Sequence, residues 1–281
     1  MSKRVVLITG TSSGIGLELA VGAAAAGWTV VATMRNAQAR GEALRTRAAQ
    51  AGVELSIREL DVTDEGAIKR CVDDVIAEFG ALDAVVNNAG AGHVGTIENE
   101  SVSEVRAVME TNFFSVVALT RAVMPHLRRS SGVLVAVSSV GGVVGQPFNE
   151  AYCASKFAVE GFFESLAPVA AAVGVRVAVI EPGAVNTAFV ASATDDIGAT
   201  LTAAGPYEPA LRAYVERTMN SFASSNAQSP GQVAAVILGV LADGSAPFRT
   251  QTSEWAASFA GMKLSDLDGS HVTTATGAWI A

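Results

Sequence analysis

Cysteine is nearly absent from this sequence, which limits what can hold the fold together. Only Cys71 and Cys153 occur among the 281 residues, so neither a disulfide framework nor a CxxC pair is available. Two isolated thiols suit a reducing compartment, and we expect the protein to be cytoplasmic. The apolar run after Lys3 and Arg4 reaches Gly10 too soon for a signal peptide. No uncharged apolar stretch is long enough to predict a membrane span.

Runs of basic residues and spaced metal ligands are also missing. The formal net charge is -8, and an acidic chain without clustered Lys and Arg is not expected to bind nucleic acid. The histidines His93, His126 and His271 are scattered and show no metal-ligand spacing. We therefore expect no metal site. A phosphorylated small ligand stays compatible with the charge, because one Arg and a helix N-terminus can hold a phosphate.

Aromatic residues make up 6% of the chain although half of its residues are hydrophobic, so small aliphatic side chains must build the core. Continuous apolar runs of this kind are typical of parallel strands covered on both faces. The predicted strands are Val5–Ile8, Thr29–Thr33, Leu55–Leu60, Ala84–Val86, Val133–Val137 and Val175–Ile180. The predicted helices are Gly14–Ala26, Arg40–Ala51, Asp64–Phe79, Ser101–Leu127 and Tyr152–Val173. This alternation predicts a single α/β domain over residues 1–281, with a Rossmann-type doubly wound parallel sheet flanked by helices.

A glycine-rich turn joins the first predicted strand to the first predicted helix. Glycine permits a tight turn and lets backbone N–H groups approach a pyrophosphate, and the helix N-terminus adds a partial positive charge. The turn lacks a Gly-Lys-Ser/Thr sequence, which disfavours a P-loop. Its position therefore predicts a dinucleotide site. The turn residues predicted to contact the cofactor are Gly10, Ser12, Ser13, Gly14, Ile15 and Gly16.

Seven motifs in order resemble the short-chain dehydrogenase/reductase family, from about Val5 to Thr187. The first is the glycine spacing Gly-x-x-x-Gly-x-Gly. The others are Asp61-Val62, Asn87-Asn88-Ala89-Gly90, Asn112, Ser138-Ser139, Tyr152-x-x-x-Lys156 and Pro182-Gly183. The resemblance implies an NAD(P)-dependent oxidoreductase that interconverts a ketone or aldehyde and an alcohol. Beyond the turn, the cofactor-binding residues that it implies are Asp61, Val62, Asn88, Ala89, Gly90, Tyr152, Lys156, Pro182, Gly183, Val185 and Thr187.

Tyr152 and Lys156 are four residues apart on a predicted helix, so they share a face. A phenol can donate a proton to a developing alkoxide, and a nearby ammonium should lower the pKa of that phenol. The pair by itself would also fit the surface of an amphipathic helix. The resemblance implies that Tyr152 is the general acid and base and that Ser139 hydrogen-bonds the substrate oxygen. It further implies that Lys156 binds the nicotinamide ribose, while Asn112 helps hold a water connected to Lys156.

The end of the second predicted strand indicates which cofactor is preferred. An acidic residue at this place would bind the adenine ribose hydroxyls and repel a 2′-phosphate, but the sequence there reads Met34-Arg35-Asn36. Arg35 can pair with a 2′-phosphate through charge-assisted hydrogen bonds, and Ser12 or Ser13 could add a hydroxyl donor. We therefore expect NADP(H) to be preferred, with NAD(H) as the second option.

The segment Phe189–Ala227 is rich in small and polar residues and is predicted to form a substrate lid. The chain is similar to 17β-hydroxysteroid and retinol dehydrogenase-like members of the family, which implies a small-molecule substrate that is a hydrophobic ketone or secondary alcohol. The resemblance also implies a homodimer or homotetramer, paired through Ser101–Leu127 and Tyr152–Val173. Small residues that would allow close packing in the second helix are Ala158, Gly161, Ala167 and Ala170.

Two alternatives stay open. The chain could be a dinucleotide-sensing protein that kept the fold but lost the chemistry, although the presence of Asn112, Ser139, Tyr152 and Lys156 favours catalysis. It could also be a relative of the sugar-nucleotide epimerases, which use the same Tyr and Lys. The glycine spacing, the chain length and the Asn-Asn-Ala-Gly motif favour the shorter dehydrogenase branch.

Overall fold

The computed structural model of the protein describes residues 3–187, 197–223, 227–265, 275 and 278. Its strands are β1 (Val5–Thr9), β2 (Thr29–Met34), β3 (Ser56–Glu59), β4 (Ala84–Asn87), β5 (Val133–Val137), β6 (Arg176–Glu181) and β7 (Arg249–Gln251). They form one parallel sheet in the order β3-β2-β1-β4-β5-β6-β7. The strand order reverses between β1 and β4, and in such sheets ligands bind at the carboxyl ends of the strands near that point.

Helices cover both faces of the sheet. The first six are α1 (Gly14–Ala25), α2 (Ala37–Arg40), α3 (Glu42–Ala51), α4 (Glu65–Phe79), α5 (Val102–Met109) and α6 (Ser115–Ser130). The others in the described part of the chain are α7 (Glu150–Ala171), α8 (Ile197–Ala203), α9 (Glu208–Ala223), α10 (Pro230–Ala242) and α11 (Glu254–Leu264). On one face, α1, α3 and α10 pack against the strands, and on the other α4, α6 and α7 do so.

The predicted architecture is confirmed, and each of the six predicted strands agrees with the structure to within one residue at each end. This agreement follows from the continuous apolar runs, because the residues of β1, β4 and β5 are all buried. The sequence prediction missed β7, whose three residues are polar and half-buried. A short edge strand of this kind carries neither an apolar run nor a clear alternation.

The predicted helix Ser101–Leu127 is a longer helical run that extends from Val102 to Ser130 and contains a π-helical turn at Glu110–Phe114. By length and composition alone this run could cross a membrane. Its α6 portion, however, packs into the core below the sheet. The buried side chains that do so include Val116, Leu119, Val123 and Leu127. The run is therefore built as the core helix of an α/β fold.

The last third of the chain packs near the carboxyl ends of the strands, where a ligand is expected to bind. Helix α8 and helix α9 form a small apolar cluster with Phe148, which lies just before α7. Helix α11 follows β7 and packs near the residues after β6. Part of the predicted lid, including Phe189, lies outside the described residues.

Candidate active site

The first wall of the site is the loop after β4, which is held against the end of β1. The Thr9 hydroxyl accepts hydrogen bonds from the backbone N–H groups of Asn88 and Ala89, both at 3.0 Å. In return, Asn88 Nδ2 donates to the carbonyls of Thr9 and Gly10 at 2.8 and 3.0 Å. Asn88 therefore joins the loop after β4 to the start of the glycine turn. Thr9 was not singled out from the sequence, because a threonine at a strand end has many ordinary explanations.

The turn requires glycines because neighbouring backbone and side-chain atoms lie too close to leave room for a Cβ. Gly10 has a φ of +71°, and a Cβ there would lie 2.8 Å from Ala89 Cα. A Cβ on Gly16 would lie 2.3 Å from the Gly10 carbonyl oxygen. Gly14 has a φ of +59°, and its Cβ would lie 3.2 Å from Thr187 Cγ2. The turn thus lies against both the Asn88–Gly90 loop and the predicted cofactor residue Thr187.

The start of α1 fits a phosphate. Ser13 occupies the N-cap position, but its side chain makes no capping hydrogen bond. The first backbone N–H groups of a helix have no partner within the helix, and without a side-chain cap they are available to an anion. Ser12 and Ile15 beside them are half-buried, whereas Ser13 is exposed. These residues could hold the pyrophosphate of a dinucleotide.

The far end of this crevice carries Arg35 and Asp61. Arg35 is exposed directly after β2, and Asn36 turns the chain with a φ of +48°. The Asp61 carboxylate accepts from the Thr63 backbone N–H at 3.0 Å and from the Thr63 hydroxyl at 2.8 Å. These bonds lower the Asp61 pKa, and the positive charge of Arg35 adds to the effect. The neighbouring residue Val62 packs against the core.

Ser139 and Tyr152 meet where β5 ends. Ser139 begins a short 3-10 turn, and its Oγ accepts from the Gly141 backbone N–H at 3.0 Å. Burial raises the pKa of the Tyr152 hydroxyl, while a hydrogen bond with Ser139 acts in the opposite direction. A Cβ on Gly141 would lie 3.2 Å from the Tyr152 ring and 3.4 Å from Ser139 Oγ, so glycine keeps this corner open. Ser138 is buried beside them.

Lys156 lies under Tyr152 on α7. Its Nζ donates to the Val137 carbonyl oxygen at 2.9 Å and lies 5.9 Å from the centre of the Tyr152 ring. Burial lowers the pKa of Lys156 to about 8, and the negative charge of Glu160 opposes that shift. Burial outweighs the influences that lower the pKa of Tyr152, so the lowering expected from Lys156 is not the net result. The ammonium is engaged by a backbone carbonyl, and burial dominates the pKa of the phenol.

Asn112 lies in the π-helical turn and is fully buried. Its Oδ1 accepts from the Ala91 N–H at 2.7 Å, and its Nδ2 donates to the Ala91 carbonyl at 2.9 Å and to Ser155 Oγ at 3.0 Å. A Cβ on Gly90 would lie 3.3 Å from Asn112 Oδ1 and 3.7 Å from Lys156 Nζ. Asn112 thus connects the loop after β4 to the helix that carries Tyr152. Single π-helical turns occur frequently at functional sites.

The residues after β6 close the site on the other side. The Pro182 carbonyl accepts from the Val140 N–H at 3.0 Å, which joins this segment to the turn that begins at Ser139. Val185 is buried and forms a bridge with Gln228. A Cβ on Gly183 would lie 2.9 Å from the ring of Trp255, so α11 packs directly on the motif. Trp255 was missed from the sequence, since nothing local relates it to a residue so distant in the chain.

The structure therefore brings Asn112, Ser139, Tyr152 and Lys156 to one corner of the crevice, with the glycine turn beside them and Arg35 at the far end. Two hydroxyl groups, Ser139 Oγ and Tyr152 Oη, can both address one oxygen atom of a ligand. His93 pairs with a carboxylate, with its Nε2 3.1 Å from Glu100 Oε1. Among the described residues, no group of three His, Cys, Asp or Glu side chains could hold a metal ion.

Comparisons with known proteins agree with this geometry. The family model for the short chain dehydrogenases matches residues 4–198. Retinol dehydrogenase 8 of Bos taurus is 39% identical over 282 aligned positions, which cover 95% of this chain and 87% of the relative. The 17-beta-hydroxysteroid dehydrogenase type 1 of Homo sapiens is 36% identical and covers 98% of this chain and 85% of the relative.

Solved structures show the same similarity. A short-chain dehydrogenase from Streptomyces avermitilis has a TM-score of 0.76 at 30% identity, with 99% of this chain and 97% of that chain covered. A short chain dehydrogenase/reductase from Burkholderia phymatum in complex with NAD has a TM-score of 0.81 at 22% identity, with 95% of each chain covered. At that identity the second likeness concerns the fold.

Proposed function

This chain belongs to the short-chain dehydrogenase family of NAD(P)-dependent oxidoreductases, and we propose that it interconverts a hydrophobic ketone or aldehyde and the matching alcohol, with Tyr152 as general acid and base and NADP(H) as preferred cofactor. The observation that carries the proposal is the meeting of Tyr152 with Ser139 above the Lys156 ammonium, where β5 ends beside the glycine turn. In a sheet of this kind, a substrate and a nicotinamide would meet at the carboxyl ends of the strands, next to the turn that binds the dinucleotide.

The proton chemistry follows from the two hydroxyl groups. In reduction, Ser139 donates a hydrogen bond to the substrate oxygen, and Tyr152 transfers its proton to that oxygen as the alkoxide develops. In oxidation, Tyr152 accepts the proton of the alcohol. The bound nicotinamide supplies or accepts the hydride. A phenol whose pKa is raised by burial stays protonated at neutral pH, so the structure favours the role of proton donor.

Different parts of the crevice suit different parts of the dinucleotide. The turn from Gly10 to Gly16 and the uncapped start of α1 would hold the pyrophosphate. Arg35 would pair with a 2′-phosphate, and Asp61 with Val62 would border the same adenine end. The residues for the nicotinamide end are Asn88, Ala89, Gly90, Tyr152, Lys156, Pro182, Gly183, Val185 and Thr187. The Asp61 carboxylate accepts hydrogen bonds from Thr63 and also feels the positive charge of Arg35.

The lid and the relatives support an apolar substrate. Retinol dehydrogenase 8 and 17-beta-hydroxysteroid dehydrogenase type 1 are named for a retinoid and a steroid. In this chain, the described part of the lid segment 189–227 forms an apolar cluster at the site end of the sheet. Its buried members are Phe148, Ala204, Leu211, Tyr214 and Val215. We propose that this segment covers the substrate and excludes water from the reacting atoms.

We also propose that the chain forms a homodimer or homotetramer through the helical run Val102–Ser130 and α7. Exposed apolar residues on these helices and just beyond α7 include Val102, Phe114, Val169 and Val173. Of the small residues expected to help pairing, Ala170 is buried in the chain's own core, whereas Gly161 is exposed with open space around it. Exposed apolar side chains on adjacent helices are typical of an isologous interface.

A panel of carbonyl compounds tests the proposed function. The purified protein would be mixed with NADPH or NADH and with a retinoid aldehyde, a 17-keto steroid, a linear aliphatic ketone or a small hydrophilic aldehyde. Nicotinamide absorbance would report turnover. We expect NADPH-dependent reduction of the apolar compounds and little reaction with the hydrophilic one. Preference for the hydrophilic aldehyde would contradict the proposed substrate class.

The same panel separates the two alternatives. A dinucleotide sensor would bind NADPH, as seen by its fluorescence, and would turn over none of the compounds. An epimerase-type enzyme would convert a sugar nucleotide with no net change in nicotinamide absorbance, which chromatography of the sugar would detect. Either outcome would overturn the proposal.

A further inference from the structure

A buried ionic cluster lies directly behind the site, between α7 and the ends of β6 and β7. Arg249 Nε is 3.1 Å from Glu160 Oε2 and 3.3 Å from Glu181 Oε1. Gln251 Nε2 donates to Glu181 Oε2 at 2.8 Å, and Arg249 Nη2 is 3.0 Å from Glu164 Oε2. The side chain of Glu181 is fully buried and that of Glu160 is 7% exposed, whereas Glu164 is at the surface.

The charges inside this cluster do not balance. Two buried carboxylates face one guanidinium, and removing a carboxylate from water is unfavourable unless it is well paired. Arg249 contacts Oε2 of Glu160, and the other carboxylate oxygen, Oε1, is buried. The cluster therefore retains negative charge that a further cation can neutralise.

The candidate for that cation is Lys156, on which the charge of Glu160 acts electrostatically. It precedes Glu160 by one helical turn on α7, so the two side chains lie on the same face of the helix. A Cβ on Gly142 would lie 3.1 Å from both Glu160 Cγ and the Lys156 carbonyl oxygen, and 2.6 Å from Ser138 Oγ. Ser138, Glu160 and the Lys156 carbonyl therefore fill the space between α7 and the turn after Ser139. This packing places the Glu160 side chain close to the site but does not expose it to a ligand.

The pKa values agree in direction with this geometry. Burial is the largest influence on Lys156 and lowers its pKa to about 8, while Glu160 raises it. Burial is also the largest influence on Glu160 and raises its pKa, with Glu181 acting in the same direction and Ser138 and Arg249 against it. The charged groups that face Glu160 are Glu181 from β6, Arg249 from β7, and Lys156 and Glu164 from its own helix.

We propose that Glu160 is a positioning residue for the reaction, whose carboxylate, held by Arg249, keeps Lys156 in its charged form beneath Tyr152. This inference rests on the proposed function, because the charge on Lys156 matters to turnover only if Tyr152 transfers the proton. Glu160 itself touches neither substrate nor cofactor. Its effect passes through Lys156, so it should change the pH dependence of the reaction.

The charge state of Lys156 can be measured without any substrate. Trace acetylation with acetic anhydride at a series of pH values, followed by peptide mass spectrometry, reports the pH at which each lysine loses its proton. The exposed Lys69 serves as the internal standard. In E160Q a negative charge is removed, so the charged form of Lys156 is less favoured. We expect its labelling midpoint to fall by about one pH unit, while that of Lys69 stays unchanged.

The matched control is E164Q. It is the same substitution, one turn further along the same helix, and it also removes a partner of Arg249, but its carboxylate lies at the surface. The Lys156 midpoint should move far less in E164Q, because solvent screens the charge. E181Q provides a second route if E160Q loses its thermal unfolding transition. It leaves Arg249 to neutralise Glu160 alone, and so it should also lower the Lys156 midpoint.

Turnover supplies the second measurement. For carbonyl reduction, the basic limb of the kcat/KM profile should move to lower pH in E160Q, because Lys156 loses its proton earlier. E160D, which restores the charge, should recover most of the wild-type profile. An unchanged Lys156 midpoint in folded E160Q, or equal shifts in E160Q and E164Q, would overturn the inference. Failure of the proposed function would instead appear as absence of turnover in the wild-type protein, whatever the labelling profile.

Discussion

At the scale of single residues, the surroundings of Tyr152 and Lys156 determine the chemistry that each can perform. The same burial acts in opposite directions on their pKa values, because it disfavours the phenolate of Tyr152 and the ammonium of Lys156. A neutral phenol and a weakly held ammonium are therefore placed within one turn of helix. This pairing favours proton donation at neutral pH and makes the charge on Lys156 sensitive to its neighbours.

Replacing Tyr152 with Phe tests the proton donor directly. The ring keeps its place in the site, but no proton is available for the developing alkoxide, so kcat should fall by at least about a hundredfold. Affinity for NADPH, measured by its fluorescence, should stay within about threefold of the wild type. Tyr207→Phe is the control, since it removes a tyrosine hydroxyl outside the site and should keep kcat nearly unchanged. Near-normal turnover in Tyr152→Phe would refute the assignment.

In the proposed function, Arg35 is responsible for the preference for NADP(H) over NAD(H). Its replacement by Ala removes the charge available to a 2′-phosphate, and a hydrogen bond to a charged group contributes about 1.5 to 3 kcal/mol. Affinity for NADPH should therefore fall by about tenfold or more, while affinity for NADH changes little. Titration calorimetry with both cofactors measures the difference. Arg70→Ala, which removes an exposed arginine paired with Asp64, should affect neither. Equal losses for the two cofactors in Arg35→Ala would contradict the assignment.

At the scale of elements, the lid segment is attached to the loop after β4 rather than standing alone. Tyr207 Oη donates to Glu98 Oε1 at 2.8 Å, and Asn99 Nδ2 donates to the Ala203 carbonyl at 2.5 Å. Tyr214 Oη accepts from Asn149 Nδ2 at 2.5 Å, just before the start of α7. These bonds connect α8 and α9 to two loops that border the site, so a change in the lid can alter the substrate cleft.

The lid attachment gives a prediction for substrate binding. Tyr207→Phe removes the solvent-exposed hydrogen bond to Glu98, so the lid loses one of its attachments to the loop after β4. KM for a bulky apolar substrate should rise by about fivefold, with little change in kcat or in NADPH affinity. Steady-state kinetics with one bulky and one small ketone would show whether the effect follows substrate size. A larger effect on NADPH than on the bulky ketone would place the lid elsewhere.

At the scale of the whole molecule, one sheet organises both the cofactor crevice and the proposed assembly surface. The face covered by α4, α6 and α7 places Tyr152 and Lys156 at one end, and the apolar residues Val102, Phe114 and Val169 are exposed on its outer helices. A pair of chains joined across this surface would fix α7 between two cores. The assembly would thereby help to hold the catalytic helix in place.

Light scattering of the purified protein tests this assembly. At micromolar concentration we expect a mass at least twice that of one chain. Val169→Glu introduces a charge into the proposed interface, which should shift the mass toward a single chain while circular dichroism stays unchanged. Leu264→Glu is the control, because Leu264 is equally exposed but lies at the end of α11. A monomeric wild-type protein would contradict the proposal.

Local patterns in the sequence were enough to predict most of the architecture. The apolar runs of β1, β4 and β5 are dictated by burial on both faces, and each run is a feature of a few adjacent residues. The glycine turn is equally local, because Gly10 and Gly14 need a positive φ that few other residues adopt. The family resemblance carried by seven ordered motifs predicted that Asn112, Ser139, Tyr152 and Lys156 belong to one site.

Only the tertiary structure decided what surrounds that site. Arg249 pairs with Glu160 across 89 positions of sequence, and Trp255 packs on Gly183 from a helix that follows an unpredicted strand. The Lys156 ammonium binds a carbonyl of β5, and burial raises the pKa of Tyr152, whereas their spacing alone predicted a lowered value. Periodicity and motif spacing report contacts within one element, whereas these contacts join elements that the sheet brings together. Their charges and burial follow from that packing, and no short stretch of sequence contains it.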